Sequence, residues 1–193
     1  MKMVALKTET LLPRYLVTDE EGLPAVPPLI GLLRQLASFI ESLTDAQYGQ
    51  KPVGPVPSSI GGHVRHSLDH LTALLDAAGD EQLSYDHRER GTDVERDRGA
   101  ALGIIRALEH RLGGLGPMDG TAPLRLSVLL SAEGPPIAVL TTLERELAFV
   151  LSHTIHHNSL LAVMAGLLGV GVPARFGYAP STIAHLEGKA CAR

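Results

Sequence analysis

Hydrophobic residues recur at helical spacing along four segments of the chain. The first segment follows Pro27 and Pro28, and its apolar positions obey the i, i+3, i+4, i+7 rule, which predicts a helix over about residues 27–45. A second helix is predicted from a serine cap at Ser58 or Ser59 to about residue 76. The apolar stripes are Leu29, Leu32, Leu33, Leu36, Ile40 and Leu43 in the first helix, and Ile60, Val64, Leu68, Leu71 and Leu75 in the second.

Two further helical segments follow later in the chain. A third helix is predicted over about residues 93–112, after a charged stretch that is most simply a solvated loop. A fourth, over about residues 142–168, follows the capping-box pattern of Thr141 and Glu144 and is stopped by glycines. The inner positions are Leu102, Ile105, Leu108 and Leu112 in the third helix, and Leu143, Leu147, Val150, Thr154, Leu161 and Leu168 in the fourth.

Between the third and fourth helices the pattern changes from helical spacing to alternation. Every second residue from Leu124 to Leu130 is apolar, and a second short apolar run covers Ile137 to Leu140, after the segment SAEGPP. Two short runs around a Gly-Pro turn predict a β-hairpin.

These elements predict a single domain over residues 1–193, with an all-α fold: a four-helix bundle with a small β-hairpin between helices 3 and 4. Residues 1–25 are expected to form an irregular lead-in, and residues 170–193 an irregular tail. The composition agrees, because the chain is 45% hydrophobic but only 4% aromatic and has no tryptophan. An aliphatic core of this kind suits helices better than a β-sandwich.

Net charge and cysteine content argue against several functions. A formal net charge of −4 at pH 7 lacks the basic excess that nucleic-acid binding requires. The single cysteine, Cys191, can form neither an intrachain disulfide nor a thiolate metal cluster. We find no signal peptide and no run of about 18 apolar residues, so we expect a cytoplasmic protein that does not enter the membrane.

Histidine is concentrated in two of the predicted helices. Six of the nine histidines lie in the second and fourth helices: His63, His66, His70, His153, His156 and His157. Residues three or four apart on a helix project from one face. Two such faces brought together could hold a metal ion through imidazole nitrogens.

In the fourth helix, His153 and His157 border the apolar stripe at i and i+4, whereas His156 faces away. A single pair of this kind is more often partly buried, hydrogen-bonded histidine than a metal site. The second histidine-rich helix makes a metal site the favoured interpretation, because it can supply a third ligand. Helical geometry alone leaves that ligand open among His63, His66 and His70.

Other metal and catalytic motifs are missing from the sequence. No histidine has an acidic residue three positions before it, as a di-iron carboxylate bundle would require. H-E-x-x-H, the glycine-rich phosphate loops and the G-x-S-x-G elbow are all absent.

The segments SIGGHVRHSLDH and LSHTIHH together resemble the DinB-like superfamily, which includes the YfiT-type metal-dependent hydrolases. The similarity covers about residues 27–170, and the tail segment FGYAPST also resembles close relatives. The resemblance implies a four-helix bundle of unusual connectivity, usually a homodimer. It also implies one divalent ion, nickel or zinc, bound by three histidines.

Matched position by position, the resemblance assigns the ligands to His66, which Asp69 follows by three, and to His153 and His157. His63 is left as a second-shell partner, a fourth ligand or a proton shuttle, and is our candidate catalytic residue. Members of the superfamily include thiol-dependent transferases and isomerases, as well as proteins with no known reaction.

The first functional hypothesis is therefore a metal-dependent hydrolase or thiol transferase that acts on a small molecule, with a low-molecular-weight thiol as one candidate. Three imidazoles leave an open coordination position, as catalytic sites do. His70 is a second candidate general base, and Arg65, Arg88 and Arg90 are candidates for binding an anionic substrate. The alternative is a non-catalytic dimeric bundle with a structural metal or none. Four leucines make the fourth helix apolar on more than one side: Leu160, Leu161, Leu167 and Leu168.

Overall fold

The computed structural model describes residues 22–54, 57–78, 82–87, 89–116 and 120–189. Over these residues the chain is mostly helical and carries one small sheet. The predicted lead-in up to residue 21, Arg88 and Cys191 lie outside them. The helices are α1 (Val26–Glu41), α2 (Asp45–Gly49), α3 (Ile60–Ala77), α4 (Arg98–Gly113), α5 (Leu143–Leu167) and α6 (Pro180–Leu186). The strands are β1 (Gln82–Ser84), β2 (Pro123–Val128) and β3 (Ile137–Thr142).

The four long helices, α1, α3, α4 and α5, lie where the hydrophobic stripes predicted helices. The first differs at its end, because the predicted helix to residue 45 stops at Glu41 and α2 begins separately. Thr44 causes the break: its side chain accepts a hydrogen bond from the Gln47 backbone, and the Gln47 side chain accepts one from the Thr44 backbone. The third helix begins at Arg98 rather than near residue 93, because Asp97 caps it.

The sheet is larger than the predicted hairpin. β2 and β3 pair antiparallel, from Pro123 opposite Thr142 to Val128 opposite Ile137. A third strand, β1, pairs parallel to β2 on its other edge. The sequence predicts a solvated loop here, because a strand of three residues is too short to show an alternating pattern.

A buried aliphatic core joins the four long helices. Its fully buried members include Leu36, Ile60, Leu74, Ile105 and Leu147. Within this core α3 packs directly against α5. The packing brings the two histidine-rich helices together.

The tail, predicted to be irregular, contains helix α6 and packs against the body of the domain. The Phe176 ring lies 5.0 Å from the Phe39 ring of α1. Gly177 has a positive φ of 77°, and a Cβ built there would lie 2.5 Å from the Ser159 backbone nitrogen of α5. Among the residues that the structure describes, no helix is both long and apolar enough to cross a bilayer.

Candidate metal centre

Helices α3 and α5 carry all the histidines of the candidate centre. Ser59 fixes the start of α3, because its side chain accepts a hydrogen bond from the Gly62 backbone at 3.1 Å. Thr142, rather than the predicted Thr141, caps α5 by accepting from the Arg145 backbone at 3.3 Å. The helices meet with five imidazole rings at their interface: His63, His66, His70, His153 and His157.

The distance between two of these rings fits a shared ion. The Nε2 atoms of His66 and His153 lie 3.3 Å apart. Two imidazoles bound to one tetrahedral ion at about 2.0–2.1 Å have nitrogens about 3.3–3.4 Å apart. The donor set and its spacing therefore match what a divalent ion requires.

His70 completes a group of three. One ligand nitrogen from each of His66, His70 and His153 lies within 4.8 Å of the others. Nδ1 of His70 lies 2.9 Å from the backbone oxygen of His66, and it must be the donor because a carbonyl oxygen only accepts. This bond leaves the lone pair of His70 on Nε2, which is how ligating histidines are commonly oriented.

His157 belongs to the same cluster. Its ring centroid lies 4.5 Å from that of His66 and 4.5 Å from that of His153. Burial, together with repulsion from His153 and the other neighbouring imidazoles, lowers the pKa of His157 to about 3. The ring is therefore neutral at pH 7, which is the form that binds metal.

His63 lies directly behind His157. Their Nδ1 atoms are 3.3 Å apart, so one ring donates to the other. Nε2 of His63 is buried and has no hydrogen-bond partner within the described residues. Burial, followed by the nearby His156, lowers the pKa of His63. His156 itself is exposed, as its position on the helical wheel indicated.

The structure thus brings together His66, His153 and His157, the predicted ligands, and places His63 beside them. Helical geometry leaves His70 among the open candidates for the third ligand, and the structure shows that it is buried. The sequence feature that pointed to His70 is its four-residue spacing from His66, which places both residues on one face of the helix. The distances and the family resemblance both give His66 and His153 as ligands. The distances give His70 as the third ligand, whereas the resemblance gives His157.

Two aromatic side chains that sequence reasoning missed cover the cluster. The Tyr85 ring stacks on His70 with centroids 5.0 Å apart and planes 13° apart. The Phe149 ring stacks on His153 at 5.6 Å, and the two aromatic rings lie 5.4 Å from each other. The Arg145 guanidinium lies 5.4 Å above the Phe149 ring.

A buried carboxyl group supports this aromatic cover. Glu146 is 0% exposed, and its Oε2 accepts a hydrogen bond from the Tyr85 hydroxyl at 2.9 Å. Its Oε1 accepts from the Thr141 hydroxyl and from Arg145, each at 2.7 Å. Burial, and then the neighbouring Glu146, raise the pKa of Tyr85, so its phenol stays protonated.

A polar pocket of about 320 Å³ opens beside His66, and its lining includes Gly62, Arg65, Arg90 and Glu95. Arg65 forms ion pairs with Asp69 and with Glu95, the latter at 2.6 Å. These carboxylates offset its charge, so the exposed Arg90 is the better candidate for contacting an anionic group.

A family model and a curated protein match parts of this chain. The sequence model described as the DinB superfamily matches residues 30–161. The chain is also 32% identical over 106 residues to FK506-binding protein 5 of Rhizopus delemar. That match covers 54% of this chain but only 28% of the fungal protein. No solved structure matches the chain.

Proposed function

Because this chain belongs to the DinB superfamily, we propose that it is a metal-dependent enzyme that binds one divalent ion between α3 and α5. The ligands proposed are His66, His153 and His157. The observation that carries the proposal is the 3.3 Å separation of the His66 and His153 Nε2 atoms. His157 supports it as a buried neutral imidazole whose Nδ1 already has a partner in His63.

Nickel or zinc is the proposed ion, because neutral imidazoles suit both. Such an ion would lower the pKa of a bound water or thiol toward neutrality and so supply a nucleophile. The reaction class is hydrolysis, or transfer to a low-molecular-weight thiol. Arg90 would contact an anionic part of the substrate in the pocket beside His66.

His63 is the proposed catalytic residue. It touches a proposed ligand through one ring nitrogen, and its other nitrogen is buried without a partner in the described structure. A histidine placed in this way can hold or pass on a proton. Removing it would leave the three proposed ligands in place.

The finer features of the fold belong to the same proposal. We take α1, α3, α4 and α5 as the four helices of a DinB-like bundle, with the β2–β3 hairpin between α4 and α5. We further propose a cytoplasmic homodimer, and the exposed apolar residues of α5, Val163 and Leu167, support self-association.

The position of His70 favours a second candidate, a bundle with a structural ion. Structural zinc sites have four protein ligands and no open position. If His66, His70, His153 and His157 all bound one tetrahedral ion, the site would be closed. The protein would then act through dimerisation or partner binding rather than catalysis.

Metal analysis of protein purified without a histidine tag tests the ligand set. We expect about one divalent ion per chain, and its loss in His66→Ala, His153→Ala and His157→Ala. His110→Ala is the matched control, because His110 is exposed on α4. Retention of the ion by all three variants would refute the ligand set.

A turnover screen with low-molecular-weight thiols and hydrolysable esters or amides separates the enzyme from the structural bundle. We expect activity that disappears when the ion is removed and returns when it is restored. His63→Ala should bind the ion more weakly, because His157 loses its ring partner, and at saturating metal it should still lose most of the activity. Full activity in His63→Ala would remove His63 from the reaction.

A further inference from the structure

We propose that Tyr85, held in place by Glu146, is a positioning residue that fixes the His70 imidazole as a further ligand of the ion. This inference rests on the proposed metal site and adds one ligand to it. Neither Tyr85 nor Glu146 touches the ion in this account. Both act through His70.

The His70 ring packs against two other rings. Tyr85 stacks on it with centroids 5.0 Å and planes 13° apart. His153 stacks against it as well, with centroids 4.1 Å and planes 29° apart. Rotation of the His70 ring out of this stack would lose both contacts, so the stack fixes the plane of the ring.

A hydrogen bond fixes which nitrogen of the His70 ring carries the proton. Nδ1 of His70 donates to the backbone oxygen of His66 at 2.9 Å, which leaves Nε2 as the basic nitrogen. With its plane and its tautomer both fixed, His70 keeps a ligand nitrogen within 4.8 Å of those of His66 and His153. These are the constraints that a preorganised ligand needs.

Glu146 explains why Tyr85 stays over His70. Tyr85 directly follows β1, a strand of only three residues, and its ring would otherwise have weak support. Its hydroxyl donates to Glu146, which lies on α5 two turns before His153. Glu146 and the proposed ligand His153 therefore lie on the same helix, which keeps the distance between them constant. The Glu146 carboxyl group has no exposed surface, and its hydrogen bonds with Tyr85, Thr141 and Arg145 offset the cost of burying it.

The added ligand affects the choice of ion. With His66, His153 and His157 it makes four imidazoles, which fill a tetrahedral sphere. An ion that takes six ligands, as nickel can, would still keep open positions for a substrate.

A double-mutant cycle on metal affinity tests the inference. The probe is Co²⁺, titrated into full-length metal-free protein against a chelator, with visible absorption recorded at each step. We expect Tyr85→Ala to weaken binding roughly 10- to 100-fold, the usual effect of losing a contact that orients a ligand. Tyr85→Phe keeps the ring but loses the bond to Glu146, so its affinity should lie between those of wild-type protein and Tyr85→Ala. Tyr178→Ala, at an exposed tyrosine, should have no effect.

The His70→Ala background decides whether Tyr85 acts through His70. There, Tyr85→Ala should cause no further loss of affinity, and both single variants should give the same Co²⁺ absorption spectrum. Equal losses with and without His70, or wild-type affinity in either His70→Ala or Tyr85→Ala, would overturn the inference. If His66→Ala and His153→Ala still lose the ion in that case, the proposed function stands. Wild-type protein that binds no divalent ion would overturn both.

Discussion

The imidazole of His157 is kept neutral by its surroundings. Burial is the main cause of its low pKa, and repulsion from His153 and the neighbouring histidines adds to it. In the unfolded chain the same ring has a pKa near 6.5. Below that pH the unfolded chain binds a proton that the folded protein does not, so acid favours unfolding.

The sign of this effect can be measured on metal-free protein. The contribution of His157 to stability is fully present above pH 6.5 and is lost as the pH falls toward 3. Between pH 7.5 and pH 5.0 we expect the free energy of unfolding to drop by up to about 2 kcal/mol through this one ring, since one proton is worth about 1.4 kcal/mol per pH unit. Urea titrations at several pH values measure it.

His157→Gln should flatten this pH dependence, whereas His110→Gln, at an exposed position on α4, should leave it unchanged. His63, whose pKa is also lowered by burial, will contribute a slope of the same sign. An identical pH profile in wild-type protein and in His157→Gln would contradict this account of the buried ring.

At the scale of single residues, the sequence predicted which side chains would meet but not what covers them. Helical spacing and resemblance pointed to His66, His153 and His157, and the structure places all three in one cluster. Tyr85 and Glu146 could not be found in this way. Their roles depend on a loop folding over α3, and no periodicity encodes that.

At the scale of elements, the first turn of α3 depends on a glycine. A Cβ built on Gly61 would lie 2.2 Å from the Glu95 backbone oxygen and 2.7 Å from the Tyr48 ring. The Tyr48 hydroxyl also donates to the Val94 oxygen at 2.6 Å, which holds the same segment against α3. The close approach of these backbones requires a residue without a side chain.

Two glycine-to-alanine variants give opposite predictions. Gly61→Ala should lower the free energy of unfolding by about 1–3 kcal/mol, because backbone must move to admit the methyl group. Gly31→Ala, in α1 with nothing within 4 Å of the added Cβ, should raise it by about 0.5–1 kcal/mol. Denaturant unfolding measures both. A neutral or stabilising Gly61→Ala would mean that the contact with Glu95 is not as close as described.

The lengths of the elements decided which of them the sequence could predict. The four long helices and the β2–β3 pair each carry enough residues to show a period. α6 and β1, with seven and three residues, do not. Thr44 and Gln47 form the capping box that separates α2 from α1. The sequence-based prediction missed this break because the apolar stripe continues to Leu43.

At the scale of the whole molecule, α5 is apolar on two sides. Leu161 and Met164 face the core, whereas Val163 and Leu167 are 59% and 53% exposed. An exposed apolar strip on a long helix is typical of a surface that binds another protein. A second copy of the chain is the partner that the family resemblance implies.

Light scattering coupled to size-exclusion chromatography tests the dimer. We expect wild-type protein at twice the mass of the chain, and a monomer when Val163→Glu and Leu167→Glu are combined. Leu130→Glu is the matched control, because Leu130 is 74% exposed in the loop between β2 and β3. A monomeric wild-type protein, or a double variant that remains dimeric, would rule out this interface.

The account of the whole molecule depends on one ion shared by α3 and α5. Diffraction data collected at the metal absorption edge, from crystals of metal-loaded protein, locate that ion directly. We predict one anomalous peak about 2.0–2.1 Å from a ring nitrogen of His66 and of His153. An ion bound elsewhere on the chain, or no peak between these two helices, would contradict the account.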